Sequence, residues 1–124
     1  SQLSIVLDAP VAADAMTPNF TSTPQAVNMS TVLSVAHTLG AVPSLVTVVL
    51  RCSTAELNYA IGDEVPLNLG QTVDGAIAGT SRVAWDSVNV VIFTDTRILI
   101  PNKTTGAGLD ITVGRWGWIV RAWT

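Results

Sequence analysis

The residues best equipped for chemistry are few, and their spacing suits it poorly. The chain has a single histidine and a single cysteine. His37 closes the run TVLSVAH and Cys52 closes LVTVVLRC, each at the end of an apolar, extended-looking stretch. Nucleophilic catalysis needs a Ser or Cys within reach of a base, with that base oriented by a third group. Nothing here assembles such a set, and a histidine at a strand end is more commonly satisfied by backbone groups. One His and one Cys fall short of a zinc site unless carboxylates join them, and the acidic residues show no calcium-loop spacing. Asp63 and Glu64 are adjacent, so on a strand they point to opposite faces. That is a poor start for two carboxylates that must converge on one glycosidic bond. A solvated turn at Gly62-Asp63 is the plainer reading. Gly75 with Gly79, and Gly106 with Gly108, lack the strand-to-helix setting and the Lys of a phosphate loop. No catalytic residue, metal-ligand set or cofactor is expected, and the chain reads as something other than an enzyme.

Composition points instead to surfaces. Charged residues make up 12% of the chain, against about 25% in an ordinary soluble domain. Mean hydropathy is +0.47. The longest strongly apolar, uncharged stretch, Ala41 to Leu50, is well short of the ~20 residues of a spanning helix, so membrane insertion is not expected. The apolar surplus is therefore expected at a protein contact. The alternative is a weakly charged monomer coated with Thr, Ser and Asn. A net charge of −3, with Arg51, Arg82, Arg97, Lys103, Arg115 and Arg121 scattered along the chain, argues against nucleic acid, which needs basic residues on one face. Cys52 is expected as a small buried hydrophobe. The opening SQLSIVLDAP lacks a secretory signal, and Ser1 fits a start from which Met was removed, so synthesis in the cytoplasm is expected.

The elements that must position these residues are strands. Residues 1–30 contain Pro10, Pro18 and Pro24 and show no sustained period, which predicts an extended arm that either wraps its own domain or reaches a neighbour, with Ser4 to Leu7 able to add an edge strand. Loss of this arm is expected to leave the remainder folded. From Thr31 to Thr124 the pattern is one of short strands: 31–37, 45–53, 58–65, 87–93, 97–100, 109–113 and 116–123. Thr94-Asp95-Thr96 is expected to turn 87–93 into 97–100 as a hairpin, and 67–80 to form a loop or weak strand. Along 45–53, Val46, Val48, Leu50 and Cys52 share one face. The fold class is all-β, an antiparallel β-sandwich or small barrel over 31–124 with the arm attached.

The last strand is apolar on both faces: Trp116, Trp118, Val120 and Ala122 on one, Gly117, Ile119, Arg121 and Trp123 on the other. Two readings stay open. Trp116, Trp118, Ile119 and Trp123 form a contact with another subunit, since Trp is enriched in desolvated interfaces, or the strand is simply a Trp-rich core.

Three stretches carry a resemblance: VAHTLGAVPSLVTVVLRCSTAELNYAIGDEV (35–65), DTRILIPNKTTGA (95–107) and RWGWIVRAW (115–123). A His-x-Leu-Gly-x-x-Pro turn (His37, Leu39, Gly40, Pro43) leads into a long strand. Then come Thr54-Ala55-Glu56-x-x-Tyr59-x-x-Gly62-Asp63, the Asn102 to Gly106 loop, and a final strand ending Arg121-Ala122-Trp123. Together they resemble a small β-domain recurrent in tailed bacteriophages and prophages. Such domains are similar to the sandwich of H-type lectins and to fibre tips, which commonly assemble as trimers. The resemblance implies a virion structural protein, made in the host cytoplasm: a trimeric capsid decoration (cement) or small tail-attached subunit, whose partners are itself and the major capsid or tail proteins. Its alternative is a receptor-binding, lectin-like fibre tip, if the chain is part of something longer. Tyr59, Trp85, Asn102 and Lys103 would then touch a host surface glycan.

Overall fold

A computed structural model describes residues 17–67, 71–73, 76–78 and 81–124. In chain order the strands are β1 (Phe20–Thr21), β2 (Gln25–Ala26), β3 (Val32–Ala36), β4 (Leu45–Cys52), β5 (Glu64–Pro66) and β6 (Gln71–Val73). They continue with β7 (Ala76–Ala78), β8 (Ser81–Trp85), β9 (Asn89–Thr94), β10 (Leu99–Pro101), β11 (Gly108–Asp110) and β12 (Trp116–Trp123). One 3-10 turn, Val113–Arg115, precedes β12, and no α-helix occurs among the described residues.

Antiparallel sheets packed face to face make this the expected β-sandwich. The first sheet runs β1–β12–β4–β5, with β2 also on β12; the second runs β3–β9–β8. Two small hairpins, β6–β7 and β10–β11, complete the set. β12 and β4 are its spine, paired from Trp116↔Cys52 through Trp123↔Leu45. Alternation does what the sequence predicts: Val48, Leu50 and Cys52 turn inward, as do Trp116, Trp118 and Val120. They meet Val35, Val90 and Ile92 of the second sheet and Ile98, Ile100 and Ile111 around the β10–β11 hairpin. Each fully buried aliphatic side chain contributes about 1.5–3 kcal/mol, so this one core dominates the fold's stability.

Over its described residues the arm wraps its own domain. Residues 19–26 lie along β12, with Phe20 opposite Ala122 and Gln25 opposite Trp118, and 28–31 cross to Thr94 and Asp95. Ser22 N–H donates to the Val120 carbonyl at 2.8 Å, and Val120 N–H donates to Ser22 Oγ at 2.9 Å. Val27 sits in the core. Pro24 separates β1 from β2, and a Cβ on Gly117 would meet the Pro24 Cβ at 3.2 Å, so glycine lets the arm approach. Residues 17–30 are thus an edge of the sandwich, and their loss would strip donors and acceptors from β12 rather than leave the domain intact. Residues 1–16, with the expected Ser4 to Leu7 strand, lie outside the described residues.

Two further elements differ. The expected 58–65 strand shrinks to β5, because Leu57 and Asn58 adopt φ of 53° and 67° and reverse the chain. The expected hairpin between 87–93 and 97–100 does not form: β9 is the central strand of its sheet, both edges taken by β3 and β8, while β10 pairs with β11. In 67–80, strands β6 and β7 form a hairpin.

Candidate functional site

The Thr54–Asp63 segment and the Asn102–Gly106 loop meet at one end of the sandwich, whereas the His37 turn and Arg121–Trp123 lie toward the other. Positive φ at both Leu57 and Asn58, with Tyr59 N–H donating to the Glu56 carbonyl at 2.8 Å, makes a tight reversal. It aims the Glu56 carboxylate at β12: Oε1 accepts from Thr112 N–H and from Trp116 Nε1, each at 2.7 Å. Burial alone would raise the Glu56 carboxyl; these hydrogen bonds, with Arg115 nearby, hold it below its ordinary value instead. Tyr59 donates from its hydroxyl to the Pro101 carbonyl at 2.6 Å, and its ring meets Trp116 edge-on, centroids 5.4 Å apart. Burial, foremost, raises the Tyr59 hydroxyl.

Polar loop residues close the junction. Asn102 Oδ1 accepts from Thr104 N–H at 2.9 Å, Thr105 N–H at 3.1 Å and Asn58 Nδ2 at 2.9 Å. Gly106, at φ 75°, donates its N–H to the Asn102 carbonyl at 2.8 Å, a conformation that favours glycine. Lys103 Nζ reaches Asp63 Oδ2 at 2.7 Å. That bond, followed by one from Ala60 N–H, holds the Asp63 carboxyl low. Glu64, on the outside of the first sheet, accepts from Arg121 and Arg51, and the Arg121 guanidinium foremost keeps it low.

At the His37 turn the ring is fully buried. Nε2 lies 2.8 Å from the Asp86 carbonyl and Nδ1 accepts from Leu39 N–H at 3.1 Å, so the proton sits on Nε2. Asp86 Oδ1 in turn accepts from Val88 and Asn89 N–H, whose bonds, Asn89 first, lower its carboxyl. Backbone partners satisfy His37, as its place in the sequence suggests.

The second sheet offers the opposite surface. β9 sends Val90 and Ile92 inward, so Asn89, Val91 and Phe93 face outward. Beside them lie Val32, Ser34 and Ala36 of β3, and Arg82 and Ala84 of β8. Among the described residues Arg82 is the one charge on this face, and Val32 is 64% exposed.

The residues expected at a subunit contact go elsewhere. Trp116, Trp118 and Ile119 are 4%, 1% and 1% exposed within the single chain. Trp116 and Trp118 belong to the core; Ile119, on the other face, sits between Val49 and the 22–24 segment. Their burial needs no partner, which corrects the contact reading for these three. Trp123 is half-buried, its carbonyl accepting from Ser44 N–H at 2.7 Å. Of the expected glycan residues, Tyr59, Asn102 and Lys103 come together at the junction, whereas Trp85 stands on β8 of the other sheet. Tyr59 is buried and its hydroxyl is engaged, so it offers no stacking platform. The outward face of β3–β9–β8 went unread; its signal was Val-Val-Ile-Phe in β9, apolar on both faces. No family model matches the chain, and comparison with curated proteins finds no match.

Proposed function

We propose that the chain is a structural subunit of a bacteriophage particle, a trimeric capsid decoration (cement) or small tail-attached protein that assembles through the outward face of β3–β9–β8. The observation that carries this reading is that face: mostly Val, Ala and Phe, with Ser34 and Asn89, and bearing Arg82 as its one charge among the described residues. A sheet face left to water is ordinarily polar, and contiguous apolar surface marks contact sites. The resemblance of the 35–65, 95–107 and 115–123 segments to phage β-domains supplies the virion context. At the junction the motif residues spend their polar groups on one another, which suits a load of packing rather than turnover. Partners would be further copies of the chain and the capsid or tail proteins of the particle. The test is Val32→Asp combined with Ala84→Asp, followed by sedimentation velocity. Loss of the oligomer with an unchanged melting curve supports the reading; an unchanged oligomer removes its basis.

A receptor-binding, lectin-like role has one observation in its favour, Trp85 at 40% exposure directly before Asp86. A glycan array without hits, on assembled protein, would dispose of it.

A further inference from the structure

Among the described residues β3 pairs with β9 alone, and its other edge has no partner strand. Thr94 N–H donates to the Thr31 carbonyl and His37 N–H to the Val88 carbonyl. With Val32 opposite Phe93, positions 31, 33, 35 and 37 therefore turn their backbone groups to β9. The N–H and C=O of Val32, Ser34 and Ala36 point off the sheet. This edge has no Pro, Lys or charge, none of the devices that discourage strand addition. Beside it runs a groove of about 390 Å³ between β3 and the β1–β2 segment, lined by Phe20, Ser22, Thr23, Gln25, Ser34 and Ala36.

The chain contains a segment suited to this groove. Ser4-Ile5-Val6-Leu7 is uncharged and rich in β-formers. In the link from Asp8 to Met16, Pro10 biases its predecessor toward extended backbone, as Pro18 does just beyond it. Such a link spans up to about 35 Å, enough to leave its own domain. Area argues the same way. Three strands about 4.8 Å apart and some 20 Å long give a face of about 300 Å², well below the ~800 Å² per partner of a stable interface.

We propose that residues 4–7 of one copy add as a strand to the β3 edge of a second copy, filling the groove and widening the apolar face. The inference rests on the assembly reading above and names its contact. Donation from each copy to the next is a head-to-tail interface, which closes into a ring when the rotation allows.

The test uses the full chain. Ser34→Cys is combined in turn with Ile5→Cys, Val6→Cys and Leu7→Cys, because facing side chains on paired strands lie within disulfide reach. After mild oxidation, covalent dimers and trimers on a non-reducing gel are expected for at least one pair. A disulfide within one chain overturns the second copy as recipient, and no disulfide in any pair overturns the docking. Ser34→Pro removes only an outward-facing donor and should raise the assembly's dissociation constant tenfold or more. If light scattering shows the wild-type oligomer intact in Ser34→Pro and no pair cross-links, the arm proposal falls while assembly stands. A wild-type chain that is monomeric at every concentration fails the assembly reading itself.

Discussion

The junction around Glu56 and the outward face of β3–β9–β8 divide the molecule's chemistry between them. At the junction nearly every side chain that could react is already committed: Glu56 to Thr112 and Trp116, Tyr59 to Pro101, Asn102 to three N–H groups. On the outward face Val32, Ala36, Ala84, Val91 and Phe93 lie among only three polar residues, Ser34, Arg82 and Asn89. Motif-like polar residues here hold the fold, and the apolar residues of the outward face are the ones on which the assembly proposal rests.

Substitutions can break this contrast at either end. The largest effect belongs to the core on which both regions rest. Trp118→Ala should cost about 3–5 kcal/mol by chemical denaturation, because a fully buried indole leaves a cavity; a loss under ~1 kcal/mol would mean the sheets repack. Next comes Glu56→Ala, which leaves the N–H of Thr112 and the indole of Trp116 without their acceptor. A loss of about 2–3 kcal/mol is expected, and near-neutrality would show the junction to be incidental.

Acid probes the same region without mutation. Glu56 and Glu64 both titrate below their ordinary 4.5 in the folded chain. A depressed folded value means the stabilisation is complete above about pH 4.5 and is lost as pH falls through the lower folded values. Melting temperature should stay flat from pH 7 to about 5 and then drop, and Glu64→Gln should soften the drop. A decline that begins at neutral pH would contradict this origin.

At the outward face the sign of the effect divides. Val32→Asp should change folding stability by only about 0.5 kcal/mol while weakening self-association. Lys103→Ala should be smallest: the pair with Asp63 is solvent-exposed and worth little, so melting should match wild type within error.

How much of this was legible in the sequence follows the same division. β12, β4 and β3 were readable because period-two alternation of Val, Leu and Trp is itself the packing signal. β5 was overextended because nothing in Leu57-Asn58 except the Asn announces two positive φ values in succession. The β9–β10 hairpin was misread because partner choice depends on distant strands: Asp95-Thr96 turns the chain, but β3 and β8 already hold both edges of β9. At β12, apolarity on both faces was equally compatible with a core and with an interface, and only the arm residues 17–30 decide for the interior. Tyr59 and Asn102 looked suited to a ligand because sequence lists donors and acceptors without their partners.

The most direct test of assembly is the molar mass of the 124-residue chain, by size-exclusion chromatography with light scattering across dilution. A mass near three times the 13.0-kDa chain, persisting to low concentration, is the expected result. A single-chain mass at every concentration would contradict it, leaving the β3–β9–β8 face a solvent surface and Trp85 the better lead.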